Sequence, residues 1–401
     1  MVAGPEQPFT AAPPATLLSL AGEALSIALR EPFVIASGRI DATRAVLVRA
    51  TVLDEGTGRH ATGLGEAAAL PPVTVEDQPD LLRAVAAAAQ ALRGLRFSRA
   101  AELTAALERA LPHSSVARAG IEAAVIDAWA RLMGAPLHVL LCGSAPGTAT
   151  AAHAAPTPPA PLITDITLPI SPPHHMARLA MQHLAAGFDC FKVKVGRDWR
   201  ADRACLQAVA QAVPQARFRL DANAGFSAAD ALALLDGVLS DGLRIECYEQ
   251  PCATEDWSGM AEVTAHAPVP VVADESFRGA ADLEQLLRRR AAHAVNLKLV
   301  KLGGPLPTLA LARAARAAGL RLMAGAMVET RVGLLAMAHV ATALGGVDWV
   351  DLDTAFLLAG DPFQGGWTVR GPNITLTGGP GLAVECTAPG LVPSRPESGG
   401  A

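Results

Sequence analysis

Aromatic residues are scarce in this chain, at 4% of 401 positions, and tyrosine occurs once. With few rings and many alanines, the core must be filled by small aliphatic side chains, which predicts a helix-rich interior. Charged residues are also few, at 18%, and the net charge is −5, so there is no basic footprint for nucleic acid. No charge-free run of about 20 apolar residues is present to span a bilayer. The start, MVAGPEQPFTAAPPA, has no basic segment and is broken by proline, so it does not read as a secretory signal. The six cysteines, Cys142, Cys190, Cys205, Cys247, Cys252 and Cys386, match neither a zinc spacing nor a disulfide framework. Unpaired thiols in a chain of this size fit a reducing compartment, so a soluble cytoplasmic protein without nucleic-acid or membrane partners is expected.

The length accommodates a barrel of about 250 residues together with a second domain. Residues 1–20 are Pro/Ala-rich and expected to be a disordered tail. Residues 21–143 read as an α+β unit: strand, polar loop (SGRIDATR) and strand, then helical patterns near 76–94, 99–110 and 116–133. Residues 144–162 are low-complexity and form a linker whose His153 is expected to be solvated. From 163 to 357, apolar β-branched runs alternate with helical segments, which predicts a (β/α)8-type barrel. Residues 358–388 read as loops and short strands returning to the first unit, and 389–401 as a disordered tail.

Within the barrel region charges recur once per βα unit, 24 to 28 residues apart: Lys192 with Lys194, Asp221, Glu249, Asp274 and Lys298. Each lies at or near the end of an apolar run: FKVKVG, FRLDAN, RIECYEQ, VVADES and VNLKLV. The carboxyl ends of barrel strands surround one mouth, so these residues converge in space. Side chains alternate faces along a strand, so Lys192 and Lys194 share a face, as do Arg219, Asp221 and Asn223, and Asn296 and Lys298. Lys301 has the opposite parity and is expected outside the site. One strand-end carboxylate is usually a helix cap or a rim ion pair, but six such charges in register are hard to explain as caps. Three facing carboxylates repel unless a cation joins them, and oxygen-only ligands on rigid strands suit Mg²⁺.

The segments KVKVG, RLDANAGF, YEQPC, VADES and NLKLVKLGG resemble the enolase superfamily, specifically its muconate-lactonizing subgroup, and the resemblance runs from about Ala24 to about Thr387. It implies a modified (β/α)8 TIM barrel with an N-terminal α+β capping domain. It also implies one Mg²⁺ per subunit, with Mn²⁺ as a substitute, held by Asp221, Glu249 and Asp274. Lys194 and Lys298 would be opposed acid/base catalysts, and Lys192 would help neutralise a substrate carboxylate. A lysine or histidine base with Mg²⁺ stabilising an enediolate is established chemistry for this superfamily. A base must be neutral to accept a proton, and Lys192 and the metal charge both disfavour the ammonium form of Lys194.

On the eighth strand Asp351 and Asp353 share a face at the mouth by parity. This Asp-x-Asp resembles the element by which dipeptide epimerases hold the substrate ammonium, whose three donors suit two carboxylates. The expected function is a dipeptide epimerase that inverts Cα by two-lysine 1,1-proton transfer. The alternatives are an N-succinylamino acid racemase or o-succinylbenzoate synthase, a muconate-type cycloisomerase, and a catalytically silent binding barrel. Glu329, after the seventh strand, would orient a lysine or touch substrate. The loop 30–44 would close over the mouth, with Arg30, Arg39 and Arg44 as candidate contacts for an acidic substrate side chain, Arg39 foremost. The partner is a small-molecule substrate, and a homo-oligomer is the expected assembly.

Overall fold

In the computed structural model, residues 14–36, 38–143 and 159–388 are described. The first unit comprises β1 (Ala15–Leu25), β2 (Ala28–Ile35), β3 (Gly38–Ala42), β4 (Arg44–Asp54), β5 (His60–Ala69), α1 (Gln78–Ala91), β6 (Arg96–Phe97), α2 (Ala100–Ala110), α3 (Ser115–Leu132) and α4 (Leu137–Leu141). Its antiparallel sheet has the order β5-β4-β1-β6. Helix α3 has apolar residues around its whole circumference and is buried along most of its length, as its position demands. Two carboxylates inside it fasten the molecule together. Glu122 accepts from Thr104 Oγ1 and from the Leu306 amide, both at 2.8 Å. Asp127 accepts from the amides of Leu64 (2.8 Å) and Leu382 (2.6 Å) and from Arg131 Nε (3.0 Å).

The approach of α3 to β5 depends on glycine. A Cβ added at Gly65 would lie 2.0 Å from the Gly120 carbonyl oxygen, a backbone atom that cannot swing aside. Gly65→Ala is therefore expected to destabilise the fold by about 3 kcal/mol, the upper range for overpacking. Gly360, with open space around it, is the control, and urea denaturation of Gly65→Ala and Gly360→Ala checks the difference.

The barrel strands are β8 (Ile166–Leu168), β9 (Cys190–Lys194), β10 (Arg217–Asp221), β11 (Arg244–Glu249), β12 (Val271–Ala273), β13 (Ala294–Leu297), β14 (Arg321–Ala324) and β15 (Trp349–Val350). They run parallel in sequential order, and a bridge between Thr164 and Val350 closes the ring. Between them lie α5 (Pro173–Ala185), α6 (Trp199–Ala212), α7 (Ala228–Ser240), α8 (Trp257–His266), α9 (Ala280–Arg289), α10 (Leu299–Leu302), α11 (Pro305–Ala317) and α12 (Arg331–Ala343). The last helix, α13 (Thr354–Leu357), is a single turn. Cys247, Val272, Ala294, Met323 and Trp349, from β11 to β15, form a separate buried apolar cluster. Near it Arg219 reaches Asp165 and Glu246, each at 2.9 Å.

Three sequence expectations need correcting. Strand β1 begins at Ala15, inside the stretch 1–20 expected to be a tail, because its apolar residues pair with β4. The polar segment SGRIDATR is not a plain loop: β3 pairs with β2, its polar side chains facing outward on a two-stranded ribbon. In the designated linker and at the expected start of the barrel, Leu162 and Ile163 form β7 (Leu162–Ile163), which pairs with the C-terminal β18 (Asn373–Leu376) and not with barrel strands. The C-terminal segment adds β16 (Phe363–Gly365), β17 (Trp367–Arg370) and β19 (Val384–Cys386), and Arg131 Nη2 donates to the Val384 carbonyl at 2.9 Å. His153 and the expected tails 1–13 and 389–401 lie outside the described residues. Among the described residues no helix is long and apolar enough to cross a membrane.

Candidate active site

The charged series meets at the carboxyl end of the barrel. Lys194, Asp221 and Glu249 stand abreast on β9, β10 and β11. Asp274 follows β12 directly, Lys298 follows β13 and Asp351 follows β15. The chain turns sharply behind the first carboxylates: Asn223 and Ala224 after β10, and Gln250 after β11, have φ of 41°, 64° and 33°. Strained backbone of this kind persists only where surrounding structure holds it. Here Gln250 Oε1 accepts from the amides of Asp274 (2.9 Å) and Ser276 (3.1 Å), which fixes the next carboxylate.

Lys192, 1% exposed, is the hub. Its Nζ lies 2.7 Å from Asp351 Oδ2, 2.8 Å from Glu249 Oε2 and 3.0 Å from Asp221 Oδ2. Lys194 Nζ is 2.6 Å from Asp221 Oδ2, and Lys298 Nζ is 2.8 Å from Asp274 Oδ2. Asn296 Nδ2 donates to Glu249 Oε1 at 2.7 Å. Lys301, expected outside the site, instead bonds the Asp274 carboxylate and donates to the Asn296 carbonyl at 3.2 Å. The parity argument failed there because β13 stops at Leu297 and α10 starts at Leu299. Three residues along a helical turn return a side chain to nearly the same face.

Burial and neighbouring charge compete at each carboxylate. Burial works to raise Asp221, but Lys192 and Lys194 outweigh it and hold the group below the usual range. Burial likewise opposes ionisation of Asp274, yet Lys298 and Lys301 keep it low. Glu249 goes the other way, pushed up to about 8 by burial and then by Asp221. Glu275 rises to about 7, from burial and from Asp274. Burial would lower Lys298, but Asp274 raises it above the ordinary lysine value.

The residues fit a hard cation. Four shielded oxygens around the predicted ligands have no hydrogen-bond donor among the described residues: Asn223 Oδ1, Glu249 Oε2, Glu275 Oε2 and Asn296 Oδ1. Glu249 Oε2 is at ion-pair distance from Lys192 but makes no hydrogen bond. Unsatisfied acceptors are rare in buried positions, and a set made only of oxygens is the donor chemistry that Mg²⁺ takes. Asp221, Glu249 and Asp274 are the residues that would hold it.

A second acidic group lies beside the first. Asp165, Asp351 and Asp353 bring carboxylate oxygens within 4.8 Å of one another. Asp353 Oδ2 accepts from the Thr167 amide at 2.6 Å, while Asp353 Oδ1 and Asp165 Oδ1 have no donor among the described residues. Burial and then Asp351 raise Asp353 to about 6, and the same two causes raise Asp165 well above the carboxylate range. Lys192 and Arg219 already neutralise part of this group, so the remaining charge suits a monocation with several N–H donors better than a dication.

One expected contact falls elsewhere. Arg39 projects from β3 with its side chain 62% exposed and pairs with Asp41 at 2.9 Å, away from the mouth. A one-residue step along the hairpin puts the side chain on its outer face. Glu329 is buried, accepts from the Met327 amide at 2.9 Å and lies within electrostatic reach of Lys298, one of the two predicted catalytic lysines. Burial and then Glu66 push it up to about 8.

The cap supplies the remaining wall. Phe33, Ile35, Ile40, Leu70 and Val73 face Lys192, Lys194, Lys298, Asp351 and Asp353 across a narrow inner cavity. Lys194 Nζ lies 5.9 Å from the centre of the Phe33 ring. An outer cavity of about 370 Å³ shares Val73, Asn223, Glu275 and Met327 with the inner one and opens between the cap and the barrel.

Residues 23–142 match the mandelate racemase/muconate lactonizing enzyme N-terminal domain, and residues 175–389 match the enolase C-terminal domain-like family. The chain belongs to the enolase superfamily. An aromatic dipeptide epimerase from Herpetosiphon aurantiacus is 36% identical, over 90% of this chain and 97% of that protein. The substrate-liganded L-Ala-D/L-Glu epimerase structure from Bacillus subtilis superimposes with a TM-score of 0.84 at 30% identity, covering 93% of this chain and 99% of that one. A dipeptide epimerase from Enterococcus faecalis, complexed with Mg and L-Leu-L-Tyr, has a TM-score of 0.79 at 30% identity, over 92% and 99% of the two chains.

For a superfamily member, the site residues that the sequence reading missed are mostly neutral or singly placed. Gln250 carries no charge and was overshadowed by the neighbouring carboxylates, while Asn223 and Asn296 were placed on the site face by strand parity but given no role. Asp165 was detectable: in ITDITLPI it shares strand parity with Thr167, whose amide holds Asp353.

Proposed function

We propose that this enzyme is a Mg²⁺-dependent dipeptide epimerase, an isomerase that inverts one Cα of a dipeptide. The observation that carries the reading is the paired arrangement at the mouth. The oxygen-rich ligand set of Asp221, Glu249 and Asp274 lies beside the Asp165/Asp351/Asp353 group, and Lys192 links the two. The first suits a substrate carboxylate held through a cation, the second a free ammonium. The names of the superfamily relatives support the same substrate class.

Mg²⁺ bound at the three carboxylates would offset negative charge as it develops on the substrate carboxylate. Lys192 adds a second positive charge there. Lys194 on β9 and Lys298 after β13 come from different sectors of the ring, so each can serve one face of Cα. One removes the proton from Cα to its Nζ, and the other delivers a proton from its Nζ to the opposite face. Phe33 and the cap hairpin exclude water from Lys194. Asp351 and Asp353 do no chemistry. They hold the ammonium about one residue from Cα and so position it.

Replacing Asp353 tests the assignment. Asp353→Asn is expected to lower kcat/KM for free dipeptides by about 100-fold or more, since a buried ammonium loses its counter-charge. N-succinylamino acids lack that ammonium and should be affected little. Wild-type turnover of an N-succinylamino acid with none of any dipeptide would replace this reading with racemase activity on N-acylamino acids.

A further inference from the structure

Resting on the dipeptide reading of the mouth, we infer that the residue undergoing inversion carries an apolar side chain, and that dipeptides ending in glutamate or lysine are poor substrates. The polar demands of a dipeptide are met from the barrel side: carboxylate at the cation ligands and Lys192, ammonium at Asp351 and Asp353, Cα between Lys194 and Lys298. Its side chain must then point toward the cap. The cap presents Phe33, Ile35, Ile40, Leu70 and Val73, with no charged or polar side chain of its own lining the inner cavity among the described residues.

Among the described residues the cations on the cap side of the mouth and along the outer cavity are engaged, Lys301 with Asp274. Arg39 pairs with Asp41 and is turned outward. Arg30 Nε donates to the Leu358 carbonyl at 2.8 Å, and Arg44 is paired with Asp77. Arg278 faces only the outer cavity and is paired with Glu255 and Asp282. A glutamate side chain entering the cap side would lose its hydration with no counter-charge, whereas an aliphatic or aromatic one gains from leaving water.

This wall is preformed. Ile170 N donates to the Val34 carbonyl at 2.9 Å, and Arg197 Nη2 to the Ile35 carbonyl at 3.0 Å. Thr43 Oγ1 donates to the Val328 carbonyl at 2.8 Å, at the far end of the hairpin. Barrel loops thus fix β2 and β3 at both ends, and the apolar residues cannot be exchanged for the exposed Arg39 without breaking those bonds.

The experiment is Cα–H exchange in D₂O with Mg²⁺, read by mass spectrometry on L-Ala-L-Leu, L-Ala-L-Phe, L-Ala-L-Glu and L-Ala-L-Lys, with the matching N-succinylamino acids alongside. The expected result is that the leucine and phenylalanine compounds exceed the glutamate and lysine ones by about 100-fold or more in kcat/KM. Ile40→Arg, at a half-buried hairpin position, is expected to raise the glutamate compound by about 10-fold. Exchange of the glutamate or lysine dipeptide at a rate equal to the apolar ones overturns the inference and leaves the dipeptide function standing. If only N-succinyl compounds exchange, the dipeptide function falls, and the apolar-to-acidic ratio within that series still decides the inference. No exchange with any compound overturns both.

Discussion

Lys298→Ala is expected to stop epimerisation, with a loss in kcat on the order of 1,000-fold or more, yet to leave solvent exchange at Cα for one of the two diastereomers. Lys194→Ala should show the same loss with the opposite diastereomer retained. The asymmetry follows from geometry. The two amines come from the ends of different strands, each against its own carboxylate, Asp221 for Lys194 and Asp274 for Lys298. Inversion needs removal on one face and return on the other, but exchange needs only one base that removes a proton and gives back a deuteron. NMR of each purified diastereomer in D₂O reads the two faces separately. Lys301→Ala is the control: it loosens Asp274, so it should raise the Mg²⁺ requirement while exchange of both diastereomers persists at saturating Mg²⁺. If one lysine variant still epimerised, or lost exchange of both diastereomers while remaining folded, the two-base scheme would fail.

The site was legible where strand geometry governs. Lys192, Lys194, Asp221, Glu249, Asp274 and Lys298 all sit on or just beyond strands whose period-two pattern and regular spacing show in the sequence. Legibility ended where the chain left the strand. Lys301 was misplaced because a helical turn begins one residue after β13, changing the period within three positions. Arg39 was misjudged because a polar ribbon carries no burial pattern from which its outer and inner faces can be told apart. Its neighbour Ile40, on the inner face, turned out to be the informative residue. Glu329 lies in a loop with no period at all. The cap wall could not be read in advance, since Phe33 is far in sequence from Leu70 and Val73 and meets them only because β2 and the segment after β5 fold over the same mouth.

Metal removal is expected to have the other large effect. Exhaustive chelation should abolish exchange and added Mg²⁺ restore it, a rate loss on the order of 1,000-fold, corresponding to several kcal/mol of transition-state stabilisation. Activity alone does not prove that these three carboxylates are the ligands, so stability supplies the second readout. Asp221, Glu249 and Asp274 are buried together, and their mutual repulsion is relieved only in part by lysines that must also serve the substrate. Mg²⁺ that binds the folded chain and not the unfolded one adds about 2.7 kcal/mol at a hundredfold excess over Kd, seen as a rise in Tm. Glu249→Gln keeps the acceptor for Asn296 Nδ2 but removes a negative charge from the cluster. The metal-free variant should therefore be at least as stable as the wild type, while its Tm should scarcely respond to Mg²⁺. The same treatment of Asp351→Asn should leave the Mg²⁺ response largely in place, because that carboxylate belongs to the neighbouring group. A Mg²⁺ response lost in Asp351→Asn and kept in Glu249→Gln would move the cation to the Asp165/Asp351/Asp353 cluster and leave the ammonium without its seat.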